Sequence, residues 1–303
     1  MKLLGISAGR PMSNCELLLK HALQGAEEAG CEVELLRLQD YRIEPCNGCT
    51  RCINRKLSGL QSGCSIPDDA DDYATYARAV MEADGFVLAA PCYNLTVAGR
   101  MLDALNRKHC FMSQLKERCK ERPKYAATIG VGGTDWTNFL MPVLNFAATE
   151  HCGGKMNLVD QMLVEFEPAV ASVALAGETV ERARQLGHSL AKVVLGQSEK
   201  IYLGDAEEVC PICHGSHLQL RGGKVICPTC DITGHVSEED GKLRVTWEQG
   251  FEQSRWSEYG DNLHLDGIRA GHRRAMEHRE EIRLACDALQ DYLQPIQPAR
   301  PEQ

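Results

Sequence analysis

The stretch KLLGISAGRPMSNCELLLKHALQGAEEAG, residues 2–30, decides the fold. Its first six residues form a short apolar run that ends in a loop with glycine and proline, as expected for a buried strand. Residues 13–30 follow with helical spacing of their leucines and close on Gly30. A buried strand, a polar loop and an amphipathic helix together open an α/β unit.

The same alternation repeats along the first 200 residues. Strands are predicted at 2–7, 31–38, 86–91, 124–133 and 156–166, and helices at 13–30, 68–85, 98–114, 137–154 and 177–196. The strands are nearly all apolar, which is typical of a parallel sheet covered on both faces. We therefore predict a doubly wound α/β domain over residues 1–200, with a five-stranded parallel sheet and ligands at the carboxyl ends of its strands.

Composition limits the possible partners. The chain has 303 residues and a net charge of −9, which disfavours nucleic acid as a bulk partner. No apolar run is long enough to cross a bilayer, and the first residues lack the pattern of a signal peptide. We expect a cytoplasmic protein, in which fifteen cysteines serve metal or redox chemistry rather than disulfides.

Three loops follow the predicted strands at the ligand-binding edge. In SAGRPMSNC (7–15), hydroxyl and amide donors, Arg10 and a helix N-terminus suit a phosphate monoester, although Ser13 and Asn14 could instead only cap the helix. The loop has neither the GxGxxG pattern nor the Walker lysine. APCYNLTVAGRMLDALNR (90–107) follows the third strand, and GVGGTDW (130–136) follows the fourth with glycines that let the backbone approach a ligand.

In order and in chemistry, these loops resemble the flavin-mononucleotide (FMN) loops of the NADPH-dependent FMN reductase family, which has the flavodoxin-like fold. The resemblance covers residues 1–195 and implies a flavin-dependent oxidoreductase. By this resemblance, the FMN phosphate is surrounded by Ser7, Arg10, Ser13, Asn14 and Cys15. The isoalloxazine ring is lined by Pro91, Cys92, Tyr93, Asn94 and Leu95. The other edge of the ring is covered by Gly132, Gly133 and Thr134. Cys15 stands where the family often has threonine. Cys92 is interpreted as a small buried residue, with a catalytic role as the alternative.

A cysteine-rich loop, IEPCNGCTRCINRKLSGLQSGCSIPDD (43–69), follows the second strand. Cys46, Cys49 and Cys52 fall at three-residue steps, and Cys64 follows after eleven residues. This is the local pattern of a four-iron cluster, whereas zinc more often uses two separated C-x2-C knuckles. The run resembles the iron–sulfur flavoproteins, which bind a 4Fe-4S cluster beside FMN, although the gap before Cys64 is longer here. The alternative is a loop without a cluster, as in related flavin reductases.

A second set of cysteines begins at residue 210. Cys210, Cys213, Cys227 and Cys230 have the spacing C-x2-C-x13-C-x2-C, which predicts a structural Zn2+ site. The segment resembles a zinc ribbon over residues 205–246. Its seven acidic residues against four basic ones over 205–245 argue against nucleic-acid binding. Residues 247–303 are predicted to form a linker and a helix around residues 268–293, with a tail too rich in proline to fold.

We therefore expect an oxidoreductase of the iron–sulfur flavoprotein type, which moves electrons between a reduced donor, FMN and a 4Fe-4S cluster to a small-molecule or protein acceptor. NAD(P)H and a ferredoxin-like protein are the candidate donors. The alternatives are a cluster-free NAD(P)H-dependent FMN or quinone reductase, and a non-catalytic electron-transfer or assembly module. The resemblance also predicts a homodimer or homotetramer. We expect neither nucleic acid nor a membrane as a partner, and the sequence singles out no catalytic residue.

Overall fold

A computed structural model describes residues 1–204, 210–293 and 295–296, and a largely parallel sheet organises the first 200. Its strands are β1 (Lys2–Ser7), β2 (Glu32–Arg37), β3 (Gly85–Tyr93), β4 (Thr96–Val97), β5 (Tyr125–Val131) and β6 (Leu158–Val164). The parallel strands lie in the order β2-β1-β3-β5-β6, while β4 pairs antiparallel with the end of β3. Strand order reverses between β1 and β3, as in flavodoxin. The predicted flavodoxin-like fold is confirmed.

Helices cover both faces of the sheet. They are α1 (Asn14–Glu28), α2 (Arg51–Leu57), α3 (Tyr73–Glu82), α4 (Gly99–Asn106), α5 (Met112–Glu121), α6 (Leu140–His151) and α7 (Gly177–Val194). Leu3 and Val87 pack beneath α1 and α7 in one core cluster, whereas Leu4 and Phe86 pack beneath α3 to α6 in the other. Successive strand residues are thus buried on opposite faces, which explains why the strands are continuously apolar.

The backbones of α1 and α7 are in direct contact. A β-carbon on Gly187 would lie 1.7 Å from the carbonyl oxygen of Ala22, and one on Gly25 would lie 2.0 Å from that of Arg184. No side chain fits at either position, so glycine is required where these helices cross.

The predicted helix over 98–114 is interrupted after α4. A 3-10 turn, Lys108–Cys110, separates α4 from α5, which continues to Glu121. Arg107 and Lys108 are both buried and form ion pairs with Asp71 and Glu150 respectively. The helical path is thus interrupted at the point where both basic side chains are held inward by acidic partners.

The acidic residues between 68 and 72 fall inside the predicted helix over 68–85 but precede α3 in the structure. The helix begins at Tyr73, so the acidic run does not form its first turn. Asp72 instead accepts the backbone N–H of Arg42, and Asp71 that of Glu44, both at 2.8 Å. These carboxylates hold the start of the cysteine loop. The short helix α2 inside that loop was not predicted.

A second, antiparallel sheet follows residue 210. Its strands are β7 (Gln219–Arg221), β8 (Lys224–Ile226), β9 (Thr233–Glu239) and β10 (Lys242–Trp247), in the order β10-β9-β8-β7. Positive φ angles at Gly222 and Gly223, and at Asp240 and Gly241, form the two-residue turns that favour such hairpins. The sheet lies within the predicted ribbon, whose first five residues, 205–209, fall outside the described chain.

Two further helices, α8 (Glu258–Glu277) and α9 (Arg279–Asp287), follow the ribbon. The first begins earlier than predicted because Ser257 caps it by accepting the N–H of Gly260 at 3.2 Å. Most of the predicted unfolded tail lies outside the described residues, namely residue 294 and residues 297–303. In the part of the chain that the structure describes, no helix combines the length and apolar character that crossing a bilayer requires.

Candidate active site and metal centres

A cavity of about 270 Å³ lies at the carboxyl ends of β1, β3, β5 and β6. The lining residues are Gly9, Arg10, Ser13, Asn14, Cys15, Pro91, Cys92, Tyr93, Val131, Gly133, Glu167, Pro168, Ala169 and Val170. The three predicted loops therefore meet at the switch point of the sheet. Five of the predicted flavin-binding residues, Ser7, Asn94, Leu95, Gly132 and Thr134, do not line this cavity.

Ser13 occupies the N-cap position of α1, but its side chain makes no capping hydrogen bond. Its Oγ is buried and finds no hydrogen-bond partner among the described residues. A β-carbon on Gly9 would lie 2.6 Å from this oxygen, so the loop backbone at Gly9 packs directly against the Ser13 hydroxyl. Capping therefore does not explain Ser13. A buried, unpartnered hydroxyl beside the exposed Arg10 suits a phosphate oxygen.

Asn14 is engaged by the protein itself. Its Nδ2 donates to the carbonyl oxygens of Glu167 at 3.0 Å and Ala169 at 2.8 Å, and its Oδ1 accepts the N–H of Val173 at 3.2 Å. The side chain thus fixes the loop after β6, a role that differs from the phosphate contact expected from sequence. Residues 167–170 carry no motif, and only their place after a sheet strand could have indicated them.

The glycines after β5 serve mainly the packing of their own loop. A β-carbon on Gly132 would lie 2.3 Å from Cγ2 of Thr137, and its N–H donates to the carbonyl oxygen of Val164 at 2.8 Å. Of the glycines predicted to approach the ligand, Gly133 lines the cavity and Gly132 does not.

A tight turn places Tyr93 at the cavity. Asn94 and Leu95 both have positive φ, and they connect β3 to β4 in a two-residue hairpin. Tyr93 is 50% exposed. Beside it, Cys92 donates to the carbonyl oxygen of Trp136 at 3.0 Å, and burial raises the pKa of its thiol. A protonated, hydrogen-bonded thiol favours the interpretation of Cys92 as a packing residue. Burial likewise raises the pKa of Cys15, to about 12.

A second cavity gathers the thiols of the cysteine loop. Its lining includes Cys46, Cys49, Cys52 and Cys64, together with Ser65, Asn106, Arg107 and Cys110. Among the described residues, these cysteines do not form a group that could hold a single metal ion, whereas the four later cysteines do. A single tetrahedral zinc ion, with Zn–S bonds of about 2.3 Å, would hold its sulfurs about 3.8 Å apart. The loop thiols of the described chain therefore line one cavity without forming such a single-ion site.

Arg107 provides a buried positive charge in the wall of this cavity. It pairs with Asp71, and its guanidinium lies 4.2 Å from the centroid of the Tyr73 ring. Its Nε–H is buried and has no hydrogen-bond partner within the described chain. An unpartnered cationic donor beside several thiols is suited to an anionic group. The sequence did not indicate Arg107, which ends the second flavin loop, or Cys110, which lies three residues beyond it, because neither carries a spacing signal.

The second set of cysteines forms a compact site. The Sγ atoms of Cys210, Cys213, Cys227 and Cys230 all lie within 4.8 Å of one another, and all four residues are buried. The structure thus brings the predicted ligands together in an arrangement that suits one tetrahedral metal ion. His214 and His217 are not members of this group.

Two equivalent turns present these thiols. After the first pair, His214 has a positive φ and donates its N–H to the carbonyl oxygen of Cys210 at 2.9 Å. After the second pair, Asp231 does the same to Cys227 at 2.8 Å. The repeated C-P-x-C sequence therefore folds into a repeated local structure, and each turn directs its two sulfurs to the same point.

The ribbon packs against the edge of the parallel sheet. Nε2 of Gln161, on β6, donates to the carbonyl oxygen of His214 at 2.6 Å. Met156 and Trp256 pack against the thiol cluster, and Trp256 also contacts Phe146 on α6, with ring centroids 6.0 Å apart. The four-cysteine site is therefore part of the interface between the two sheets.

Comparison with known proteins agrees with this geometry. Residues 1–150 match the family described as NADPH-dependent FMN reductase. The N-terminal domain belongs to this family. The chain is accordingly a flavin-dependent oxidoreductase.

Individual relatives of this chain fall into two groups. An iron–sulfur flavoprotein of Methanocaldococcus jannaschii is 33% identical over 135 residues, which are 44% of this chain and 63% of that protein. A flavone synthase of Aspergillus candidus is 28% identical over 302 residues, covering 89% of this chain and 90% of that one. A solved flavone reductase has a TM-score of 0.78 at 23% identity, over 99% of this chain and 100% of that chain, and so shares its fold.

Proposed function

We propose that this chain binds FMN in the cavity between the ends of β1 and β3 and uses it to transfer electrons to a planar, conjugated acceptor. The buried, unpartnered hydroxyl of Ser13 carries the proposal, because a phosphate oxygen would satisfy it. Arg10 would add a charge-assisted contact. Residues Pro91 to Tyr93 would orient the ring. Bound FMN supplies exchange of a hydride or of single electrons.

The rim of the cavity supports the proposed substrate class. Tyr93 is 50% exposed, and Trp136, whose backbone carbonyl accepts from Cys92, is 73% exposed. Exposed aromatic rings bind flat apolar molecules by stacking. The extended match to a flavone synthase agrees with an acceptor of flavone or quinone size.

We further propose that the cysteine loop binds a 4Fe-4S cluster that exchanges electrons with FMN. The matching iron–sulfur flavoprotein and the unpartnered Nε–H of Arg107 support this cluster. Helix α4, about 12 Å long at 1.5 Å per residue, runs from the flavin-side hairpin towards the thiol cavity. The proposed donor is NAD(P)H or a ferredoxin-like protein, and the proposed assembly is a homodimer or homotetramer.

The second candidate function is a cluster-free flavin reductase. Its support is that the flavone synthase matches 89% of this chain, whereas the iron–sulfur flavoprotein of Methanocaldococcus jannaschii matches 44% of it. The two candidates share the FMN site and differ only in the cysteine loop.

Both candidates are tested on protein purified without oxygen. The flavin is identified, and iron, zinc and acid-labile sulfide are counted. Turnover is then measured with NADPH or NADH as donor and with quinones and flavones as acceptors. We expect FMN, and release of FAD or the absence of flavin would contradict the central proposal. Cys49→Ala should remove the broad visible absorbance of the cluster but retain FMN, while the exposed Cys286→Ala serves as the control. Wild-type protein with FMN but without labile sulfide would favour the second candidate.

A further inference from the structure

A fifth thiol, that of Cys110, lies in the wall of the cysteine-loop cavity. It comes from a different part of the fold, because it ends the 3-10 turn Lys108–Cys110 that follows α4. Its side chain is half-buried and packs against the larger core cluster. The cavity is therefore built from two chain segments, each of which supplies thiols.

Cys64 and Cys110 are held differently. Cys64 lies in the irregular segment between α2 and α3. Cys110 is fixed to the core by its turn, in which its N–H donates to the carbonyl oxygen of Arg107 at 3.1 Å. Arg107 lines the same cavity, so its charge is available to a thiolate at either position.

A four-iron cluster takes four thiolates, and this wall offers five. The C-x2-C-x2-C run supplies Cys46, Cys49 and Cys52, which leaves two thiols for the last position. We propose that Cys110 is a thiolate donor of this site and completes the shell in place of Cys64; this inference rests on the proposed 4Fe-4S function. Cys46, Cys49, Cys52 and Cys110 would then hold the cluster as thiolates, and the Cys64 thiol would keep its proton and stay unbound.

Alanine variants test the proposal, since a serine oxygen could itself bind iron. Cys64→Ala, the double variant Cys64→Ala/Cys110→Ala and the control Cys286→Ala are reconstituted anaerobically with ferrous iron and sulfide. Iron, labile sulfide and FMN are then counted. We expect wild-type iron and sulfide in Cys64→Ala and in the control, and loss of both in the double variant with FMN retained.

Alkylation of the Cys64→Ala protein gives a second measurement that does not depend on the folding of the double variant. We expect Cys110 to be protected from iodoacetamide in the reconstituted protein and to be alkylated after iron is removed. Loss of the cluster in Cys64→Ala, or equal alkylation of Cys110 in both states, would overturn the inference alone. Wild-type protein without labile sulfide would overturn the cluster proposal together with it.

Discussion

The imidazole of His214 stacks on the ring of Tyr202, with centroids 3.5 Å apart and planes within 8° of parallel. His214 directly follows Cys213, and Tyr202 belongs to the larger core cluster of the parallel sheet. The contact therefore connects a turn of the four-cysteine site to the flavin domain. Because its cysteines shape this turn, we expect metal binding to stabilise the interface between the two sheets, and the interface in turn to stabilise metal binding.

Removal of the metal should unfold the ribbon and release this interface while FMN stays bound. Structural zinc supplies much of the folding free energy of so small a unit. Trp247 and Trp256 pack on the thiol cluster, so tryptophan fluorescence should change on chelation and recover when Zn2+ is restored. Unchanged fluorescence and protease resistance after complete metal loss would contradict this prediction. Iron in place of zinc at this site would contradict its structural assignment.

Ser13→Ala should raise the dissociation constant for FMN by about 10- to 100-fold, because a hydrogen bond to a charged group contributes about 1.5–3 kcal/mol. Its free energy of unfolding without FMN should hardly change, since the hydroxyl does not cap α1. Flavin titration and urea unfolding measure the two quantities. The exposed Ser216→Ala is the control. An unaltered FMN affinity would remove Ser13 from the site.

Gly187→Ala should destabilise the protein by about 1–3 kcal/mol, the usual effect of overpacking. The added β-carbon would lie 1.7 Å from the carbonyl oxygen of Ala22, so α1 and α7 must separate. Intrinsic helix propensity favours alanine by about 1 kcal/mol and thus predicts the opposite sign. Gly177→Ala, at the start of the same helix with no atom within 4 Å, is the matched control. Greater stability of Gly187→Ala would show that the helices do not touch.

Glu16→Gln should destabilise the protein at neutral pH and have little effect in acid. Hydrogen bonds from Arg37 lower the pKa of the fully buried Glu16 to about 2, compared with about 4.3 in an unfolded chain. Above about pH 4.3 the carboxylate therefore contributes about 3 kcal/mol to the free energy of unfolding. This contribution is lost as the pH falls towards 2.

Urea unfolding of wild-type and Glu16→Gln protein at several pH values measures this effect. The difference between the two should be largest near pH 7 and should disappear near pH 2. The control is Glu28→Gln, because Glu28 and its partner Arg184 are 51% and 45% exposed, and such a pair contributes less than about 1 kcal/mol. A difference between wild type and Glu16→Gln that persists at pH 2 would argue against this titration.

The sequence alone determined the architecture and the location of the chemistry. Apolar runs alternating with helical patterns predicted the parallel sheet, and the loops after its strands were correctly placed at one edge. The spacing of Cys210, Cys213, Cys227 and Cys230 predicted their convergence, because two C-x2-C turns joined by a short hairpin leave few other arrangements. These features depend on residues close together in the chain, so hydrophobic periodicity and cysteine spacing predict them directly.

The tertiary structure alone decided which neighbours the side chains meet. It directed the amide of Asn14 to the loop after β6, turned Arg107 into the cysteine-loop cavity, and placed Cys110 opposite the loop thiols. It also stacked His214 on Tyr202. Each of these contacts joins separate structural segments of the chain. Their approach depends on how the helices and sheets pack, and no local pattern in the sequence encodes that packing.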